Sequence, residues 1–209
     1  MIRSLYNLTT KINAHIANLN HIKDFNLKDI TPIVNIYMSN DWEEYKNQHP
    51  VKELSFSKTY SRIPIMFDNL ESQKKDLYDM FLVKWDPRCY TSIHNHPDGD
   101  CIIKILDGSI IVQRFLNNET CNELKNLKNG DINFMSDNIG LHRIINDNDN
   151  NSYSLHIYSP PIYYPEFESE LKEYNAHFYK TTPHLARSMM LDKKKYSIMN
   201  NKPNFRDLP

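Results

Sequence analysis

The sequence predicts an all-β core, an antiparallel sandwich or barrel most simply built as a jelly roll, with α-helices ahead of it. Three observations carry that expectation. From about Ser55 the apolar spacing changes from three-and-four to two, the shift from helical to strand periodicity. Eight short strand-like runs then follow one another, separated by Asn-, Asp-, Gly- and Pro-rich turns. All four glycines lie between Gly99 and Gly140, so the tight turns concentrate in the middle of the chain. A length of 209 residues suits one sizeable core. The expected organisation is a single domain over 1–209, with an N-terminal helical segment at 1–50, a β-barrel at 51–165 and a C-terminal extension at 166–209.

Leu5, Leu8, Ile12, Ile16 and Leu19 recur at helical spacing and predict a first amphipathic helix. A second is expected over Leu27–Met38, with Pro32 in its first turn, and a third over Asp41–Gln48. His15, His21 and His49 read as surface residues. The candidate strands are Ser57–Phe67, Leu77–Trp85, Tyr90–His96, Cys101–Leu106, Ser109–Phe115, Asp131–Met135, Leu141–Asn146 and Ser152–Ser159. Asp107-Gly108 carries a two-residue hairpin signal. Beyond Pro160-Pro161 the pattern decays to a short helix at 166–175 and a charged run at 192–195.

Lys plus Arg total 25 and Asp plus Glu 26, for a net charge of −1. With no basic stripe there is no case for nucleic acid as a partner, and with only short apolar runs none for a membrane. The polar N-terminus has no apolar signal core, and the odd cysteine count (Cys89, Cys101 and Cys121) suits a reducing compartment. A cytoplasmic monomer is expected.

Chemistry concentrates in the histidines. On a strand, Ser92, His94 and His96 share one face and Ile93 takes the other, so two imidazoles stand side by side. His142 lies in G-L-H-R-I-I-N, and His156 in S-Y-S-L-H-I-Y-S-P-P, where Ser154, His156 and Tyr158 share a face. The plain alternative is that these are wet outer faces of an antiparallel sheet. Turned inward, each unsatisfied imidazole costs about 1–3 kcal/mol, which a metal removes by using the lone pairs. The set therefore points to a metal centre. Asp100 is a candidate carboxylate ligand for a two-histidine, one-carboxylate site, although its register faces it outward. Alternation alone likewise puts Arg62 outside, because Ile63 and Ile65 take the apolar face.

Spacing then adds a resemblance. His94-x-His96, position 101 and Gly108 match the first cupin signature, H-x-H-x4-E-x6-G, with Cys101 where the usual Glu ligand stands. Gly130 followed by His142-x3-Asn146 resembles the second signature, shifted by one residue. The runs S-I-H-N-H-x4-C, D-N-I-G-L-H-R and S-L-H-I-Y-S-P-P, with Tyr60-Ser61-Arg62 upstream, resemble the cysteine dioxygenase family over about residues 40 to 161.

That resemblance implies a cupin jelly-roll barrel with N-terminal α-helices packed on it, an Fe(II) cofactor, and oxidation of the L-cysteine thiol by O2 to the sulfinate. It implies that His94, His96 and His142 hold the iron and that His156 lies behind them with Ser154 and Tyr158. Arg62 would grip the substrate carboxylate with Tyr60 beside it, and Cys101 and Tyr158 would form a thioether cross-link. Three neutral imidazoles leave a ferrous ion room for a thiol, an amine and O2, and a Glu at position 101 would take one of those places. Asn95, Pro97 and Asp100 depart from the family pattern, and the chain beyond Pro161 does not match it convincingly. The rival readings are a 3-mercaptopropionate or other small-thiol dioxygenase, a metal-binding cupin without turnover, and a cupin isomerase that would need Asp100 as a ligand.

Overall fold

The structure is a computed structural model and describes residues 1–49, 60–65, 67, 77–91, 93–94, 99–115, 121–136 and 140–161. The expected helix at 166–175, the C-terminal extension and His96 lie outside the described residues.

The N-terminal segment forms because its apolar positions recur on one helical face and the start of its first helix is capped. Helix α1 spans Leu5–Ala17 and buries Leu5, Leu8, Ile12 and Ile16; the Ser4 hydroxyl accepts from Asn7 N at 3.0 Å. The expected helix at Leu27–Met38 is instead a 3-10 turn, Leu27–Ile30, followed by the short α2, Thr31–Asn35. Pro32 explains the break: without an N–H it begins a helix rather than continuing one. Helix α3 runs Asp41–Gln48 as expected. Asp41 ties the segment together, accepting from Leu5 N and from the Tyr37 hydroxyl, each at 2.7 Å. Among the described residues no helix is long and apolar enough to cross a membrane.

The β-strands are β1 Tyr60–Pro64, β2 Asp79–Trp85, β3 Cys89–Tyr90, β4 Asp100–Asp107, β5 Ser109–Phe115, β6 Cys121–Lys128, β7 Ile132–Ser136, β8 Leu141–Asn146 and β9 Ser152–Ser159. They form two antiparallel sheets, ordered β1-β2-β9-β4-β7 and β3-β8-β5-β6. Three expectations are corrected. Asp107-Gly108 is not a hairpin turn: β4 and β5 belong to different sheets, and the dipeptide is the corner between them. Gly108 is needed there because its φ is +72° and a Cβ would lie 2.5 Å from Ser152 Oγ. Strand β6 was not expected; it is a charged, exposed edge strand with only Leu127 buried. The run Tyr90–His96 is not one strand, since β3 ends at Tyr90 and His94 joins the sheet through a single bridge to His142.

The first sheet is buried on both faces. Met80, Leu82, Ile102, Leu155 and Ile157 pack against Leu5, Leu8, Ile12, Val34 and Trp42 of the helical segment. Phe81, Val83, Trp85, Cys101, Ile103 and Tyr158 pack inward with Val112, Leu127 and Ile144 of the second sheet. Lys104 points to the helical side, where its buried ammonium donates to Asn35 O at 3.0 Å, at the end of α2. Asn146, fully buried, fixes the end of β2 to the β8–β9 turn. Its amide donates to Trp85 O (3.1 Å), Asp86 O (3.0 Å) and Asn150 O (3.0 Å), while Oδ1 accepts from Asn148 N (3.1 Å) and Ser152 Oγ (3.2 Å). The Asn of the second cupin-like motif is thus a backbone clamp rather than a ligand.

Candidate active site

The barrel interior is built from alternate residues of β1, β2, β4, β8 and β9. On β9, Ser154, His156 and Tyr158 face inward at intervals of two, with exposures of 0%, 2% and 4%. His156 Nε2 lies 2.9 Å from Ser154 Oγ, and its Nδ1 lies 3.1 Å from the Tyr158 hydroxyl. Tyr158 is the direct cross-strand partner of Cys101 on β4, and the Cys101 sulfur is 3.9 Å from His156 Nδ1. Asp100 takes the other face of β4 by alternation, so the structure does not bring it to these residues.

Arg62 faces inward, contrary to the alternation argument and in line with the resemblance. Its guanidinium carbon lies 5.7 Å from the Tyr158 ring, 5.3 Å from that of Tyr60 and 5.9 Å from that of Phe81. Three rings around one cation form an apolar cage with a positive charge in it. The consequences reach the neighbouring groups. Burial pushes the Cys101 thiol up to about 12, with the Tyr158 hydrogen bond and the Arg62 charge opposing the rise. Burial likewise raises the Tyr158 phenol well above its ordinary value, again opposed by Arg62. His156 is held well below the usual histidine range, first by burial and then by the charges of Arg62 and His94. At neutral pH the Cys101 thiol, the Tyr158 phenol and the His156 imidazole are thus in their neutral forms beside the Arg62 guanidinium.

His94 and His142 meet across the second sheet. They exchange backbone hydrogen bonds, His94 N to His142 O at 2.9 Å and His142 N to His94 O at 2.8 Å, and their ring centroids are 4.2 Å apart. A hydrogen-bonded antiparallel pair keeps both side chains on one face, so the backbone itself holds the two imidazoles together. Two imidazoles at contact distance are donors of the type that suits a divalent first-row metal such as Fe(II). Among the described residues no group of three His, Cys, Asp or Glu side chains could hold a metal ion; His96, the third expected donor, is outside them. Cys89 is buried in the inner core cluster and Cys121 is exposed.

Trp85 was not among the expected site residues. It closes β2 with an exposure of 1%, and its indole N–H donates to Ser154 Oγ at 2.8 Å. Alternation puts it on one face with Phe81 and Val83; that this face is the inner one, and that β2 pairs with β9 and so brings it to Ser154, comes from the structure.

The fold and its lining define a cupin-type barrel with an interior of histidines, a tyrosine, a cysteine and an arginine. A family model described as cysteine dioxygenase type I matches residues 8–169. The chain belongs to that family, the cysteine dioxygenase-type thiol dioxygenases. The cysteine dioxygenase type 1 of Rattus norvegicus is 26% identical over 148 residues, covering 66% of this chain and 68% of the relative. That of Homo sapiens is 30% identical over 101 residues, covering 45% and 50%. A solved protein with a double-stranded β-helix domain from Klebsiella pneumoniae aligns over 50% of this chain and 80% of its own, at 15% identity and a TM-score of 0.39.

Proposed function

We propose that this chain is an iron-dependent cysteine dioxygenase that converts the thiol of L-cysteine to the sulfinate, with both atoms of O2 ending on sulfur. The observation that carries the reading is the caged Arg62 guanidinium over Tyr158, on the wall that also holds Cys101. A guanidinium on this wall has the planar fork that grips a substrate carboxylate through a bidentate, charge-assisted pair. His94, His96 and His142 would hold the iron. Bound Fe(II) supplies the Lewis acidity that lowers the substrate thiol's pKa and the redox chemistry that O2 requires. Tyr60, beside Arg62, orients the substrate backbone. Phe81, Val83 and Ile103 keep bulk water from the reacting sulfur. Tyr158, a neutral phenol, offers a proton to that sulfur or to oxygen, and His156 and Ser154 hold the phenol in place.

Oxygen uptake by the Fe(II)-loaded chain tests this against the rival thiol. L-Cysteine is expected to exceed 3-mercaptopropionate in kcat/KM by about ten-fold or more, because only the former offers an amine as well as a thiol. Equal or reversed preference transfers the reading to the small-thiol rival. Iron bound with no uptake on either substrate transfers it to a metal-binding cupin.

The direct register of Cys101 with Tyr158 supports a thioether between the sulfur and the tyrosine ring, formed with loss of two hydrogens to O2. A tryptic map after turnover with L-cysteine should contain one peptide pair joined at these residues and lighter by two hydrogens. Finding only the two linear peptides rejects the cross-link and leaves the dioxygenase reading intact.

A further inference from the structure

The chain that carries His94 does not keep step with the strand it lies against. Cys89 and Tyr90 pair with Asn146 and Ile145 of β8, and further along His94 pairs with His142. His94 lies four residues after Tyr90, whereas His142 lies three before Ile145, so this chain holds one residue more than β8 over the same span. One extra residue on one strand of an antiparallel pair is a β-bulge. A slip of one residue turns every later side chain to the other face. Tyr90 stands outside, its ring 5.4 Å from the guanidinium carbon of Arg143, while Ile144 packs in the barrel core. Unbroken alternation from Tyr90 would leave His94 outside as well and set Ile93 against His142. The extra residue is therefore what brings the two imidazoles to one face.

The hydrogen bonds show where the step is lost. Thr91 N donates to Ile144 O at 2.9 Å, the first half of a regular antiparallel exchange. The return bond from Ile144 N goes not to the Thr91 carbonyl but to its hydroxyl, Oγ1, at 3.0 Å. Both residues are buried, with exposures of 7% and 3%, where an N–H without an acceptor is costly. The Thr91 side chain thus closes the ladder in place of its backbone, at the residue after which the register shifts. We propose that Thr91 is a positioning residue whose hydroxyl sustains the bulge that turns His94 toward His142. That these imidazoles then hold a metal rests on the reading above; the claim about the bulge does not. The competing account is that Thr91 only fills space in the core.

Valine and serine separate the two accounts because they divide the properties of threonine. Thr91→Val keeps the shape and loses the acceptor; Thr91→Ser keeps the acceptor and loses a methyl group. Anaerobic titration of the metal-free full chain with Fe(II) should give Thr91→Val an affinity about 10- to 100-fold below wild type, with Thr91→Ser within about two-fold. Nuclear magnetic resonance of the metal-free chain supplies a second readout. Contacts between the His94 and His142 rings should appear in wild type and in the serine variant and vanish in the valine variant. The Ile144 amide should exchange faster only in the valine variant. Wild-type affinity in Thr91→Val, a weaker affinity in Thr91→Ser than in Thr91→Val, or ring contacts kept in Thr91→Val overturns the proposal. If the valine variant does not fold, the serine variant decides alone: affinity within about two-fold of wild type upholds the bond, and a larger loss overturns it. Wild-type protein that binds no Fe(II) would reject the metal reading and leave the bulge to be judged by the ring contacts.

Discussion

Replacing His142 with alanine is expected to remove iron from the protein and to lower oxygen uptake by more than about 100-fold, the upper end of what losing a mere supporting partner of a metal ligand costs. The variant is informative because the fold does not depend on this imidazole. The bonds that hold β8 to His94 run through the main chain, from His94 N to His142 O and back, and survive any side-chain change. Ile144 and Ile145, next along the strand, keep its place in the core. Circular dichroism should therefore match wild type while elemental analysis finds little iron. A variant that retains stoichiometric iron and full turnover would place the metal elsewhere, and the pairing of His94 with His142 would then be a structural contact between two rings. His94→Ala should reproduce the loss, since the two rings stand 4.2 Å apart and on the proposed reading would contribute equivalent donors.

What could be read from the chain divides along a physical line. Strands β5, β8 and β9 were legible to the residue because each has one face in the barrel and a clear turn at its end. Alternation placed Ser154, His156 and Tyr158 on one face of β9, but it left open whether that face was inner or outer, which the structure settles as inner. Strand β6 was not legible: C-N-E-L-K-N-L-K buries only Leu127, so hydrophobic period had almost nothing to report, and the strand exists because β5 offers it a partner. The Asp107-Gly108 corner failed for a different reason. A glycine with positive φ reverses or redirects the chain equally well, and whether the next strand pairs with the last depends on neighbours distant in sequence. Arg62 shows the same limit in the site. Neighbouring isoleucines assigned the apolar face to the core, but both faces of this sheet are buried, one under the helices and one in the barrel. Alternation said correctly that Arg62 and Ile63 oppose each other, yet it could not say which of two interiors was the reactive one.

That ambiguity makes Arg62 the sharpest test of how substrate is held. Arg62→Ala should lower kcat/KM for L-cysteine by about 100- to 10,000-fold, chiefly through KM, because two charge-assisted hydrogen bonds at about 1.5–3 kcal/mol each are lost together. Arg62→Lys should recover part of this, since an ammonium keeps the charge and loses the fork that matches a carboxylate. Iron content should be unchanged in both, because Arg62 stands with Tyr60, Phe81 and Tyr158 and is not a donor to a metal. Cysteamine, which keeps the thiol and amine of L-cysteine and lacks the carboxylate, supplies the control. Wild type should handle it poorly, and Arg62→Ala should handle it no worse than wild type does. A general collapse on both substrates would mean that the cation holds the cage of aromatic rings together rather than the substrate. Unchanged kinetics on both would mean that the anion sought by this guanidinium is not the carboxylate of the reacting thiol.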